Sequence, residues 1–117
     1  MSRFLPADHA KGDERTIGGY AAVHARPAAL EGRDGMSYSV EILTDRTGEE
    51  TPGRQHGAYF MFLQWKRMGA QGIAGHLESE FLAWADEADA ARAALGAMLI
   101  PDVQRVLDAL IRARGGE

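Results

Sequence analysis

Alternating apolar and polar residues predict two strands in the middle of the chain. Between Met36 and Thr44, apolar residues occupy every second position and polar residues fill most of the positions between them. Since successive side chains of a strand point to opposite faces, this segment is expected to bury one face and leave the other in water. The segment from Ala58 to Trp65 is apolar at almost every position instead. Such a run is typical of a strand covered on both sides, so we place it at the centre of the sheet.

Weaker patterns predict a strand on each side of this pair. The segment from Tyr20 to Arg26 alternates and then meets Pro27. Because proline has no N–H to donate to a neighbouring strand, this segment is expected to be an edge strand. The segment from Ile73 to Trp84 alternates most clearly in its middle and is predicted to be the fourth strand.

Turn and capping residues mark where the predicted elements begin and end. Asp34-Gly35 supplies the positive φ that a tight hairpin turn requires. Asp86 is expected to cap the first of two helices, because its carboxylate accepts hydrogen bonds from the free N–H groups of a first turn. Pro101 suits the first turn of the second helix, and Gly115 suits its end.

The predicted strands come first along the chain and the predicted helices come last. This order predicts a segregated α+β fold rather than a parallel βαβ sheet. We expect a four-stranded antiparallel β-meander followed by two C-terminal α-helices packed on one sheet face. Residues 1–18 are polar and lack a period, so they are predicted to form a flexible N-terminal leader before a single α+β domain of residues 19–117. The sheet face under the helices is expected to consist of Tyr38, Val40, Ile42, Leu77 and Phe81.

Composition narrows the classes of function. The chain has no cysteine, which removes disulfides, thiolate metal sites and cysteine nucleophiles. Its 17 acidic and 13 basic residues give a net charge of −4, which disfavours affinity for nucleic acid. No apolar run approaches the roughly 20 residues that span a bilayer, and the N-terminus lacks the apolar core of a signal peptide. We therefore expect a cytoplasmic protein that does not associate with membranes and uses no cofactor.

The apolar run of the third strand exceeds what two helices on one face can cover. One side of the run carries Phe60 and Phe62, and the other side carries Tyr59, Met61, Leu63 and Trp65. One of these sides must face away from the helices, and a large exposed apolar patch usually marks an interface or a groove. Three interpretations stay open: the long loop or the leader folds over this side, a second copy packs against it as a homodimer, or it forms a groove for a ligand or partner. We take all six residues as candidate binding residues.

Three polar residues of the fourth strand are the candidate catalytic group. His76, Glu78 and Glu80 recur at every second position, which places them on one face of a strand. An imidazole beside carboxylates is raw material for general acid–base catalysis or for a divalent-metal site. A solvated sheet face shows the same alternation, so it is the simpler interpretation, and recognition of a cationic partner is a further one. We assign no metal ligands.

The aromatic residues of the predicted sheet raise another alternative, the stacking of single-stranded bases. Such a surface needs interleaved cations. The nearest cations are Lys66 and Arg67 at a strand end, whereas Glu78 and Glu80 lie on the next strand. Packing in the core is therefore the preferred interpretation of these aromatic residues, and nucleic acid is not an expected partner.

The segment Trp84-Ala85-Asp86-Glu87-Ala88-Asp89-Ala90 follows three predicted strands and opens a helix with acidic residues. This arrangement is similar to HicB-type antitoxin domains over about the central third of the chain. It contains no diagnostic motif, and a second helix stands where that family has a strand or a DNA-binding unit. The resemblance implies a small interaction domain, and no functional residue is carried over.

The motifs that are absent favour binding over catalysis. The chain has no phosphate-cradling glycine loop, no Gly-x-Ser-x-Gly and no His-Glu-x-x-His. The expected function is a small non-catalytic binding or regulatory module that acts through protein–protein contacts, with itself or with another protein. The alternatives are a small enzyme or metal-binding protein that uses the His/Glu cluster, and single-stranded nucleic-acid binding on the sheet aromatics.

Overall fold

The part of the chain that the structure describes, residues 6–66 and 72–115 of a computed structural model, folds into a five-stranded antiparallel sheet with helices packed on it. The strands are β1 (Ala29–Glu31), β2 (Ser37–Arg46), β3 (His56–Trp65), β4 (Ile73–Glu78) and β5 (Ala83–Ala85), and the helices are α1 (Ile17–His24), α2 (Ala88–Gly96) and α3 (Ile100–Arg114). β1 to β4 follow one another in meander order, and β5 pairs with β3. The predicted α+β fold is confirmed, with the C-terminal helices α2 and α3 packed on the sheet.

The sheet and the C-terminal helices enclose one hydrophobic core. Phe60 and Phe62 of β3 have 0% exposed surface, and their ring centroids lie 5.7 Å apart. Tyr38 of β2 lies in the same core, and Leu95 of α2 and Leu107 of α3 complete it from the helix side. Burying a large apolar side chain contributes roughly 1.5–3 kcal/mol, so this cluster accounts for much of the stability of the fold.

Phe81, which was predicted to lie under the helices, lies on the opposite side of the sheet. The predicted fourth strand is interrupted, because β4 ends at Glu78 and residues 79–82 leave the regular ladder before β5. In this bulge the hydroxyl of Ser79 accepts the N–H of Phe60 at 2.9 Å, where a regular strand would use a carbonyl. Extra residues in a bulge break the alternation of faces, and this reverses the side on which Phe81 emerges.

The predicted edge strand over residues 20–26 is wrong, because α1 occupies this region. The hydroxyl of Thr16 accepts the N–H of Gly19 at 3.0 Å and so caps the helix. The alanines that made the alternation weak are strong helix formers. α1 crosses α2 closely where Gly18 meets Gly96, since a Cβ atom on Gly18 would lie 3.0 Å from the Cα atom of Gly96. Capping and close packing therefore outweigh the weak strand pattern.

The predicted hairpin turn is present in the structure, whereas the predicted helix cap is not. The hairpin turn at Asp34-Gly35 joins β1 to β2, and Gly35 has the expected positive φ of 78°. The predicted cap at Asp86 is wrong, because Glu87 holds the N-cap position of α2 and makes no side-chain bond there. The Asp86 carboxylate instead accepts the N–H of Gly53 in the loop between β2 and β3.

The predicted division into a leader and a domain stays a prediction. Residues 1–5 lie outside the described residues, and α1 begins at Ile17, inside the predicted leader. The N–H of Asp8 donates to the carbonyl of Val23 at 2.8 Å, which joins the described part of this segment to α1. At the other end of the chain, Pro101 lies in the first turn of α3 and Gly115 follows its last turn, as predicted.

Candidate functional site

The two sides of β3 have different environments. Phe60 and Phe62 face the helices and are fully buried. They therefore belong to the core and are not part of the candidate binding surface. We call the opposite side of the sheet the open face. Its row of side chains from β3 is Tyr59, Met61, Leu63 and Trp65. The first three of these are half-buried and the last is 40% exposed, so this side of the predicted apolar run is the one that faces away from the core.

Two carboxylates flank the middle of this apolar row. The strand register places Glu41 of β2 and Glu78 of β4 directly opposite Met61, one on each side. Directly opposite residues share a sheet face, so both glutamates stand on the open face, and both are exposed. Adjacent strands lie about 4.8 Å apart, which separates these two positions by about 10 Å across the row. The open face is therefore an apolar row with negative charge on both borders.

Aromatic residues bound the two ends of the row. The ring of Phe81 packs over Gly57, and its centroid lies 5.9 Å from that of Tyr59 in an edge-on arrangement. At the other end, the indole N–H of Trp65 donates to the hydroxyl of Ser39 at 3.0 Å. These contacts fix the aromatic side chains in place. The two side chains between them, Met61 and Leu63, are half-buried and form the centre of the open face.

The loop that was one candidate for covering the open face packs at its end instead. The Arg54 guanidinium lies 4.2 Å from the ring centroid of Trp84, which β5 places opposite Gly57. The same loop is tied by the bond between Gly53 and Asp86. These contacts lie beyond the Tyr59 end of the row, so this loop does not pack over its centre.

The candidate catalytic residues form an exposed pair rather than a group of three. The Nε2 atom of His76 lies 3.6 Å from Oε1 of Glu78, and their side chains are 58% and 48% exposed. Glu80 follows the end of β4, where the period of two no longer relates it to the others. Within the described part of the chain, no group of three His, Asp or Glu residues could hold a metal ion.

A hydrogen-bonded cluster joins the end of α3 to the sheet. The hydroxyl of Tyr38 donates to Oδ2 of Asp34 at 2.6 Å, and Nη2 of Arg114 donates to the same oxygen at 3.0 Å. Burial raises the pKa of Asp34, but the bonds from Tyr38 and from the N–H of Met36, with the charge of Arg114, outweigh it, so the pKa lies below its ordinary value. Burial, and then the Asp34 carboxylate, raise the pKa of Tyr38. A carboxylate, a neutral phenol and a guanidinium are the forms that this cluster stabilises.

This cluster was missed by the sequence analysis, which assigned Asp34 to a turn alone. Its members come together only when the C-terminus of α3 reaches the hairpin, and Asp34 and Arg114 are 80 positions apart. Its three groups are all paired with one another, so we interpret it as a structural link.

An open cleft of about 930 Å³ lies between α1, α2 and the edge of β2. Glycine and alanine are the commonest of its lining residues, and the guanidinium of Arg92 donates to the carbonyl of Ile42. The charged residues that line the cleft are all exposed and of both signs: Lys11, Arg26, Glu41, Asp89 and Arg92. Exposed charges of mixed sign are screened by water and salt, and they specify no ligand class.

Comparisons with known proteins add no assignment. No protein family, no curated protein and no solved structure matches this chain. The resemblance of residues 84–90 to HicB-type antitoxin domains therefore gains no support. Among the described residues, no helix combines the length and the apolar character that crossing a membrane demands.

Proposed function

We propose that this protein is a small non-catalytic binding module that acts through protein–protein contacts on its open face. The observation that carries the proposal is the pair Met61 and Leu63, which lie at the centre of the open face on the side of β3 turned away from the core. A contiguous apolar surface on a small protein usually marks an interaction site. Contact with another protein would remove this surface from water.

The surroundings of the apolar row support a protein partner over the two alternatives. Protein interfaces commonly have an apolar centre and a polar rim, and here Glu41 and Glu78 provide such a rim around Met61. The same carboxylates repel the phosphates of a nucleic acid, which single-strand binders attract with cations. The exposed pair of His76 and Glu78 belongs to this rim, and it has the hydration expected of an interface border.

The size of the row fits a segment of a partner rather than a small ligand. From Tyr59 to Trp65 the row extends about 20 Å, at about 3.3 Å per residue. Stable protein interfaces bury about 800 Å² on each partner, so the interface would include the rim as well as the apolar centre. Either a second copy of this chain or a different protein can supply such a segment, and sedimentation velocity over a concentration series distinguishes these two cases.

A fluorescent apolar probe tests whether the open face is available for binding. The folded protein is expected to enhance the fluorescence of Nile red, a neutral probe that the carboxylates of the open face do not repel, and the double substitution Met61→Ser/Leu63→Ser should remove most of this enhancement. Leu99→Ser is the matched control, because Leu99 is 48% exposed at the start of α3, away from the open face. Circular dichroism verifies that each variant is folded.

Two results would count against the proposal. One is a folded wild-type protein that produces no enhancement. The other is an enhancement that Leu99→Ser lowers as much as the double substitution does, since the probe would then be binding apolar surface in general.

A further inference from the structure

We propose that the occupant of the open face is a basic amphipathic helix of another protein, with Lys or Arg on both flanks of its apolar stripe. This inference rests on the proposed function, because it names the partner of the same surface. The observation behind it is the position of Met61 between Glu41 and Glu78, with apolar neighbours before and after it on β3.

The spacing of the apolar row matches the apolar stripe of a helix. Side chains on one face of a strand repeat about every 6.6 Å, and helical residues four positions apart repeat about every 6.0 Å. A row of about 20 Å from Tyr59 to Trp65 corresponds to a helix of about 13 residues. The apolar side chains of such a helix, at positions i, i+4, i+7 and i+11, can therefore contact the row along its whole length.

The width of the open face fixes where the charges of the partner must lie. A helix with its side chains is about 10–12 Å wide, and Glu41 and Glu78 stand about 10 Å apart on either side of β3. A helix that lies along β3 therefore places one flank above each glutamate. Lys and Arg suit both flanks, because their long stems pack on apolar surface while the charged group reaches outward to a carboxylate.

Among the described residues, the paired strands of the open face carry mainly negative charge. The register places four carboxylates there: Glu31, Glu41, Asp45 and Glu78. Of the basic residues described at its border, Lys66 is exposed just after Trp65, Arg54 is 3.2 Å from Glu49 and stacks on Trp84, and His76 lies beside a glutamate. Complementary charge raises association rates and selects among partners, even where each exposed ion pair contributes little.

The same charges disfavour a second copy as the occupant. A two-fold axis parallel to β3 brings the β2 side of one copy over the β4 side of the other, so that Glu41 would face Glu78. A two-fold axis across β3 at Met61 would set Glu41 against Glu41. In both cases like charges oppose each other beside the apolar centre, and each copy also carries a net charge of −4.

Two synthetic peptides test the inference with the full-length protein. The first is a fluorescently labelled helical peptide of about 18 residues, with a leucine stripe and lysine on both flanks. The second has glutamate at every lysine position and the same stripe. By fluorescence anisotropy the lysine peptide is expected to bind, with affinity that falls as salt is added, and the glutamate peptide is expected to bind at least about tenfold more weakly.

Charge variants of the protein locate the binding. The double substitution Glu41→Gln/Glu78→Gln is expected to lower the affinity for the lysine peptide about tenfold and to reduce the salt dependence of this affinity. The control Glu87→Gln/Asp89→Asn removes the same two charges from exposed positions at the start of α2, so the net charge is equal, and binding should be unchanged. An equal loss in both variants would show non-specific attraction and overturn the inference.

The other outcomes separate this inference from the proposed function. If both peptides bind equally and Met61→Ser/Leu63→Ser abolishes binding, the open face is a binding surface but its partner is not basic. If sedimentation shows self-association that the same double variant removes, the occupant is a second copy, which again overturns only the inference. If neither peptide binds and the apolar probe gives no signal, both proposals fail.

Discussion

Two adjacent residues of β3 provide the most direct test of the difference between its two sides. Phe62 is 0% exposed in the core, whereas Met61 is half-buried on the open face. Replacing a fully buried phenylalanine with alanine costs about 3–5 kcal/mol, because the apolar contacts are lost and a cavity remains. Met61→Ala is expected to cost about 1 kcal/mol, because the methionine side chain is only partly removed from water and no enclosed cavity forms. The two variants should therefore differ by about 2–4 kcal/mol.

Urea unfolding followed by circular dichroism measures both values. A domain of this size has a total unfolding free energy of about 5–15 kcal/mol, so Phe62→Ala should move the midpoint strongly and Met61→Ala only slightly. The slope of the free energy with urea should stay the same in both variants. Equal costs for the two substitutions would refute the reasoning, because Met61 would then be enclosed as fully as the core residue and the open face would not be open.

Two further substitutions test contacts outside the apolar row. Asp34→Asn should lower the free energy of unfolding by about 1–2 kcal/mol at pH 7, since it weakens the bonds from Tyr38 and Arg114. Because folding lowers the pKa of Asp34, its contribution to the unfolding free energy is present above the unfolded pKa and is lost as the pH falls below about 4. The difference in unfolding free energy between the variant and the wild type, measured by urea titration, should therefore disappear at low pH. A difference that is as large at pH 2 as at pH 7 would contradict this. Gly57→Ala should cost about 1–3 kcal/mol in thermal melts, because the new Cβ atom would overlap the ring of Phe81. The added cost should disappear in a Phe81→Ala background, and a cost that persists there would point to backbone strain.

The strands and helices with strong periodicity could be predicted from the sequence. The alternation of β2 and the apolar run of β3 specify their strands, and α3 has a proline at its start and a glycine at its end. The exceptions depend on contacts between distant parts of the chain. α1 forms where Gly18 can approach Gly96, and this proximity leaves no local pattern. The bulge after β4 depends on the hydroxyl of Ser79, which replaces a carbonyl as the acceptor of the Phe60 N–H.

The candidate site could be predicted in part. The excess of apolar residues in β3 is visible in the sequence, but the sequence does not show which side of the strand faces the helices. That choice follows from the packing of α2 and α3, which buries Phe60 and Phe62 and leaves Met61 and Leu63 half-buried on the opposite side of the sheet. The flanking of Met61 by Glu41 and Glu78 depends on the strand register, which joins residues that are distant in sequence.

The charged border and the apolar row together explain how an open apolar face can be kept on a folded protein. Exposed apolar patches promote association, and like charges that would meet across a contact oppose it. Glu41 and Glu78 place such charge directly beside Met61, where it opposes a copy of the same chain more strongly than a neutral or basic partner. The carboxylates that limit self-association would therefore also select the partner. Neutralising them should weaken binding of a basic helix and, at high protein concentration, increase self-association through the same face.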